Sequence, residues 1–460
     1  MNRWMWAAVA AAVGFVVPGV AAAQVADPQV VLVPYAPNNP QLPHPAHSEA
    51  RITLKGMLRN ANCAQGYEVR WDVNRNGRYD DDAARVVTPS GGVVRDIGRT
   101  YTVPAVGNDQ STNIDVRVLN RCTNGEAFGT FRLFTYTWSP SPDPRQWTAD
   151  QIDTLDQMAI QEALWYIHRN QTGHANAGAT IKSYMGAGGN AQAGAPLAIW
   201  AMALNGHLAA YPPGTIDRQG VVLPDGWEAA NDRRWNTTPY AEDAIRMLNY
   251  VLEQGTGWQN IEAEDEDNSC GYNGQDVRRC NRVVAPNNQG MYTNGVSNNT
   301  YYQGVTLGGL APLMDALAGT PLQTGGVARG MRYEVFIQEL TDWLGGMQID
   351  SGCGRGGWYY SRIDGNGSCS QMDASTAQWG YIGLESAEAK GRPYGVFVNN
   401  HHKYSLADNL VANQGNRGGS NYRSSGSYAN NLQLTGGAFV AARWMGVHTF
   451  RRGEGAVAFP

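Results

Sequence analysis

Positive charge is in short supply in this chain. Its 460 residues carry 35 Lys and Arg against 40 Asp and Glu, for a net charge of −5, and only four of the cations are lysines. A basic footprint for nucleic acid is absent, so that partner class is set aside. Beyond the first two dozen residues no segment is long and apolar enough to span a bilayer, and no stable membrane span is expected in the mature chain. No Cys-x-x-Cys and no Cys/His cluster at ligand spacing occurs, which argues against a structural zinc site. Gly-x-Ser-x-Gly, the phosphate loop and the dinucleotide fingerprint are also missing. What is abundant is Gly (55), Tyr (22) and Trp (14), which points to long polar loops and aromatic packing over an ordered core.

The chain opens Met1-Asn-Arg-Trp-Met-Trp, continues with an apolar run through Val17, and reaches Ala21-Ala-Ala23. One cation, a short apolar stretch and small residues before Gln24 make residues 1–23 a signal peptide, with cleavage after Ala23. The expected location is secreted, periplasmic or cell surface. An N-terminal membrane anchor is the alternative, and the shortness of the run speaks against it. Six cysteines remain: Cys63, Cys122, Cys270, Cys280, Cys353 and Cys369. An even count in an exported chain favours disulfides, although spacing alone does not fix their connectivity. Local proximity suggests pairs 63–122, 270–280 and 353–369.

Residues 28–138 read as β. The runs Tyr67–Trp71, Asn113–Leu119 and Phe131–Trp138 alternate and are separated by turn-rich segments. Within them, Tyr67-Glu-Val-Arg-Trp71-Asp72-Val-Asn74-Arg-Asn76-Gly77-Arg-Tyr-Asp80, with Arg99-Thr-Tyr-Thr-Val103 downstream, resembles the polycystic-kidney-disease-type Ig-like domain, an extracellular spacer or adhesive module. Residues 139–147 form a Pro-rich linker (Ser139-Pro-Ser-Pro-Asp-Pro144) that continues neither strand nor helix. Thr148 and Gln151 then make a capping box for a helix to about Arg169. A second helix follows the cap Thr238 and Pro239, and a third runs from about Tyr333 to Met347.

Gln192, Gln303, Gln378 and Gln433 each precede a small-residue, apolar helix, a weak internal repeat. The strongest segment is Gly357-Trp358-Tyr359-Tyr360 followed by Asp373-Ala-Ser-Thr-Ala-Gln378-Trp379-Gly-Tyr-Ile-Gly383. Gly380, Gly383 and Ala387 give this helix a slim face that can press on another helix. The segment resembles the repeats of the prenyltransferase and squalene-cyclase superfamily, whose helical hairpins stack into an α/α toroid. That resemblance implies an all-β Ig-like sandwich followed, over residues 148–450, by an all-α toroid, open or incomplete because only four hairpins are counted.

The superfamily's cyclases carry Asp-x-Asp-Asp-Thr-Ala. Here the matching stretch is Asp373-Ala374-Ser375-Thr376-Ala377, without the two inner acids, and alkene protonation loses its acid. Asp373 is the one weak catalytic candidate, and its position fits a helix cap better. A prenyltransferase zinc set is likewise not found. Trp358, Tyr359, Gln378, Trp379, Gln303 and Tyr302 are candidate binding residues at the mouth of a central cavity; Trp165, Tyr166, Trp200, Tyr301, Tyr381 and Trp444 are the further aromatics at inner helix ends, where core packing is the alternative. Asp72, Asn74, Asn76 and Asp80 resemble the start of a calcium loop, but the bidentate acid at its twelfth position is missing; an Asx-rich turn is the alternative. Calcium is the only cofactor the residues suggest. The acidic run Glu262–Asp267 and the group His168, His174 and Glu162 read most simply as solvated or capping residues. The expectation is a non-catalytic exported binding or scaffold protein for an extracellular ligand, glycan or protein. The alternative is a secreted enzyme using the toroid cavity on a polysaccharide or polyisoprenoid. A carboxylate pair facing the toroid cavity would favour the enzyme, and a cavity lined only by aromatics, Gln and Ser would favour binding.

Overall fold

The computed structural model describes residues 27–37, 41–79, 83–171, 191–208, 238–253, 255–261, 289–293, 299–322, 326–361, 366–414, 419–423 and 432–445. The proposed signal peptide, Asp80, His174, the acidic run 262–267, Cys270 and Cys280 lie outside these residues.

The N-terminal strands are β1 (Gln29–Leu32), β2 (His44–His47), β3 (Arg51–Leu54), β4 (Gly56–Arg59), β5 (Tyr67–Trp71), β6 (Arg85–Val87), β7 (Arg99–Thr102), β8 (Gln110–Asn120) and β9 (Glu126–Tyr136). A five-stranded sheet runs β2-β9-β8-β5-β6, with β2 parallel to β9, while β1 pairs with β4 and β3 with β7. Alternation decides which residues go inside. Along β8, Ile114, Val116 and Val118 are buried and their neighbours face outward. They share one apolar core with Leu54, Leu58, Tyr67, Trp71, Ile97 and Phe131. The buried indole N–H of Trp71 donates to the Ile97 carbonyl at 2.9 Å. A disulfide joins Cys63, before β5, to Cys122, after β8, with Cα atoms 5.7 Å apart.

The helices are α1 (Ala149–Arg169), α2 (Ala191–Leu204), α3 (Pro239–Glu253), α4 (Thr300–Leu310), α5 (Met314–Leu317), α6 (Tyr333–Gly345), α7 (Ala374–Gly391), α8 (Asn400–Asn413) and α9 (Leu432–Trp444). Thr148 and Gln151 form both hydrogen bonds of the capping box at the start of α1. The small-residue helices α2, α4, α7 and α9 pack side by side in that order, flanked by α1, α3, α6 and α8. Glycine is required at the closest approaches. A Cβ on Gly304 would lie 2.3 Å from the Trp379 carbonyl oxygen of α7, and one on Gly309 would lie 2.2 Å from the Pro196 carbonyl oxygen of α2.

The expected succession of an all-β domain and an all-α domain is corrected by this structure, which is mixed α/β. The short strands β10 (Thr256–Asn260) and β11 (Gln289–Thr293) form an antiparallel ladder inside the helical half and pack on α6. A two-residue parallel ladder, β12 (Ser351–Gly352) with β13 (Asn366–Gly367), lies beside the Cys353–Cys369 disulfide. Conversely, α1 lies on β2 and β3, and its Met158 joins the β core. The physical reason is charge as much as apolar area. Lys55, 3% exposed, pairs with Glu162 of α1 at 2.7 Å, and Thr53 donates to the same carboxylate through its N–H and its hydroxyl at 3.0 and 2.8 Å. Arg59 pairs with Glu242 of α3. Arg95 and His168 both bind the fully buried Asp243 of α3, at 3.0 and 2.6 Å. Buried charges need partners, and here each half of the chain supplies them to the other.

Four histidines are held neutral by burial. His44, His207 and His402 are pushed down to about 3 and His401 to about 4. Their folded values lie below the ordinary 6.5, so the unfolded chain binds more protons between these limits. Stability is full above pH 6.5 and falls as the pH drops toward about 3. Glu339, pushed up to about 7 by burial, works the other way over part of that window, as do Glu385 and Asp408, which burial also raises, against four histidines displaced as far or further. Thermal melts are therefore expected to show a midpoint that declines from pH 6.5 to pH 4.5; a flat or rising midpoint would contradict the burial of these imidazoles.

Candidate active site

The residues singled out by sequence do not gather around one cavity. Asp373 caps α7: its Oδ1 accepts the Thr376 N–H at 3.0 Å and the Ser375 hydroxyl at 2.5 Å, and Ser375 contacts the Tyr422 hydroxyl at 3.0 Å. Trp358 is fully buried, donates its indole N–H to the Leu344 carbonyl at 2.9 Å and packs on Gly380, so neither ring face is open to a ligand. Gly356, ahead of it, sits at φ +77, and a Cβ there would lie 1.7 Å from the Ser405 carbonyl oxygen. Gln303 is buried and clamps β11 to α4, accepting from the Thr293 N–H at 3.2 Å and donating to its carbonyl at 2.8 Å. Tyr302, Tyr301 and Trp379 do meet, as a partly buried aromatic group with ring centroids 5.7 Å apart from Tyr301 to each neighbour. Tyr359 lies edge-on to Tyr360 at 5.5 Å, and Gln378 is half-buried near Gly437. In the loop after β5, the Asp72 carboxylate accepts the N–H groups of Asn76 and Gly77 at 3.1 and 2.9 Å, Asn74 Oδ1 also accepts from Asn76, and Asn76 Oδ1 accepts the Arg78 N–H. Those oxygens serve the turn itself. His168 pairs with Asp243 rather than with Glu162.

A cleft with chemistry lies at the other end of α7. It has a volume of about 680 Å³ and is lined by Glu385, Glu388, Ala389, Arg392, Pro393, Lys403 and Trp444. Four elements build it. Glu385 and Glu388 are three residues apart and share a helix face in the last turns of α7. A 3-10 turn at Arg392–Tyr394 ends at Gly395, whose φ of +89 turns the chain toward α8. The Asn399 side chain starts α8 by accepting the His401 N–H at 3.0 Å, which places Lys403 one turn in. Trp444 is the last residue of α9.

The two carboxylates sit in unlike surroundings. Glu388 is ion-paired with Lys403 at 2.6 Å and accepts the Trp444 indole N–H at 2.7 Å. The Lys403 ammonium also lies over the Trp444 ring, 5.2 Å from its centroid. Glu385 is half-buried and makes no such pair. Burial pushes its carboxyl up, Arg443 opposes that shift, and the neighbouring Glu388 adds to it. Such a pair, one acid inclined to keep its proton and one carboxylate held by a cation, can donate a proton at one point and carry negative charge at another. Among the described residues no group of three or more His, Cys, Asp or Glu is placed to hold a metal ion. Of this site, the sequence analysis singled out only Trp444. The missed signal was Glu385-x-x-Glu388 on a helix face, which by itself is common.

No family model matches the chain, and no curated protein matches it. A solved structure, that of a family 76 glycoside hydrolase from a bovine Bacteroides thetaiotaomicron strain, is similar at 10% identity with a TM-score of 0.21, over 86% of this chain and 97% of that one. At that TM-score the likeness carries no argument, either for the fold or for an activity. Nothing matches the Ig-like family. The expectation of a non-catalytic scaffold is corrected toward its enzyme alternative: the cleft at the end of α7 is lined by a pair of carboxyl groups, Glu385 and Glu388. Among the described residues no helix is long and apolar enough to cross a membrane.

Proposed function

We propose that this chain is an exported, glycan-acting hydrolase whose reaction takes place in the cleft between α7, α8 and α9. The observation that carries the reading is the Glu385–Glu388 pair, in unlike surroundings, beside the indole of Trp444. Glycosidic bonds are broken by two carboxyl groups with divided roles. Glu385 gives its proton to the departing oxygen as the bond to the anomeric carbon breaks. Glu388 takes a proton from the water that adds to that carbon. Trp444, one ring face of which carries the Lys403 ammonium, offers its other face to a sugar, and its N–H and Lys403 keep Glu388 in place. The polar lining suits a glycan and not a polyisoprenoid. The disulfides Cys63–Cys122 and Cys353–Cys369 suit an oxidising compartment, in keeping with export.

The test is release of reducing sugar from a panel of soluble polysaccharides by the full chain and by Trp444→Ala. Release from at least one polymer is expected. The variant should show KM raised about tenfold, because a stacked ring contributes on the order of 1–3 kcal/mol. No release from any polymer, or an unaltered KM in Trp444→Ala on a polymer that is cleaved, would overturn the assignment of the cleft.

A further inference from the structure

The cleft carries a positive charge that the hydrolytic roles leave unused. Lys403 is committed to Glu388. Lys390, nearby on α7, is committed to Asp315 at 3.3 Å. Arg392 is exposed, lines the cleft, and its guanidinium has no side-chain partner among the described residues. Arg443, exposed on α9 and preceding Trp444 in sequence, acts electrostatically on Glu385. The turn that carries Arg392 is restrained, since Pro393 has its own φ fixed by its ring and Gly395 closes the turn in the left-handed region. A guanidinium presented this way offers a planar fork of donors that matches carboxylate or sulfate oxygens two at a time.

We infer that the glycan taken by this cleft carries an anionic substituent, a carboxylate or a sulfate, and that Arg392 recognises it. The inference rests on the hydrolase reading for the placement of the sugar ring on Trp444. It follows from charge complementarity: Glu388 is paired with Lys403, Glu385 on the hydrolase reading holds its proton as the acid, and the charge left to face a ligand is that of Arg392 in the turn after α7. Arg392 is a specificity-determining residue here and takes no part in bond breaking. A neutral glycan would leave the guanidinium without a partner and gain nothing from it.

The experiment measures binding without turnover, by calorimetry on the full-length Glu385→Gln chain. The ligands are an oligogalacturonate, a neutral galacto-oligosaccharide of the same length and a sulfated galacto-oligosaccharide. At least one anionic ligand is expected to bind about tenfold or more tightly than the neutral one, with an advantage that shrinks as salt is raised. Adding Arg392→Gln should erase that advantage, and Arg392→Lys should restore part of it, because the charge returns without the fork. The anionic ligand whose affinity responds to Arg392 identifies the substituent. Equal or tighter binding of the neutral ligand would overturn the inference, as would an anionic preference that survives Arg392→Gln in a folded variant. The two readings fail separately. Sugar release from neutral polymers alone refutes the anionic substrate and leaves the hydrolase standing. Arg392-dependent binding of an anionic ligand with no release from any polymer refutes the hydrolase and leaves the anion site standing.

Discussion

Asp243→Ala is expected to destabilise the protein by about 3–5 kcal/mol, the range for breaking a buried ion pair by removing one partner. The Asp243 carboxylate is fully buried. Burial alone would raise its pKa, but His168, Arg95 and Arg246 hold it well below the ordinary carboxylate range. His168 sits 2.6 Å from one oxygen, Arg95 3.0 Å from the other, and Arg246 at 3.6 Å. The alanine variant leaves these groups packed together with far less compensation, since among the described residues the neighbouring Glu242 is ion-paired with Arg59 and Arg246. Arg95 comes from the β half and Asp243 from α3, so the loss should loosen the seam between the two halves. Urea unfolding read by tryptophan fluorescence and by circular dichroism measures this. A cost below about 1 kcal/mol would mean that water reaches the seam and screens the network. Replacing Arg95 and Asp243 together by apolar residues should recover part of the loss, because the cost lies in the stranded partners.

What the sequence showed and what it hid follow from the range over which each signal acts. The capping box of Thr148 and Gln151 and the cap at Asp373 are contacts between residues three apart, and they stand where local reading puts them. The slim face of α7 was also legible. Gly383 lies against the Gly304 carbonyl oxygen, where a Cβ would approach to 2.8 Å, because close helix packing leaves its mark in residue size. The mixed architecture was not legible. The segments 256–260 and 289–293 are five-residue runs, too short for periodicity to reveal, and they pair across 28 intervening residues. Nor does a sequence announce that Arg95 will meet Asp243, 148 positions away. The cleft was hidden for the same reason. Glu388 finds Lys403 15 positions on and Trp444 56 positions on, and each of the three residues alone reads as an ordinary helix-surface or core side chain. Trp358 erred in the other direction: its flanking glycines marked it correctly as special, but what they serve is close packing, not a binding face.

Glu385→Gln is expected to lower kcat on natural glycans about 10²–10⁴-fold, the usual contribution of a positioned general acid. The fold should be little affected, because this carboxyl is half-buried and a neutral amide of the same shape replaces it. The proton is the only thing removed, so a substrate with a leaving group that departs without one, such as a dinitrophenyl glycoside, should be cleaved by the variant at close to the wild-type rate. The pH profile gives a second check. Glu385 must be protonated and Glu388 ionised to act, so the profile has two limbs, and the basic limb should fall as pH rises through the pKa of Glu385, which burial pushes above the ordinary glutamate value. Glu388 adds to that upward shift, so Glu388→Gln should move the basic limb of any residual activity to lower pH. Arg443 opposes the shift, so Arg443→Gln should move the limb to higher pH. These two displacements in opposite directions depend on Glu385 being the titrating group. A basic limb that stays put in both variants, or a dinitrophenyl glycoside that the Glu385→Gln variant cleaves as poorly as a natural glycan, would show that the proton comes from elsewhere.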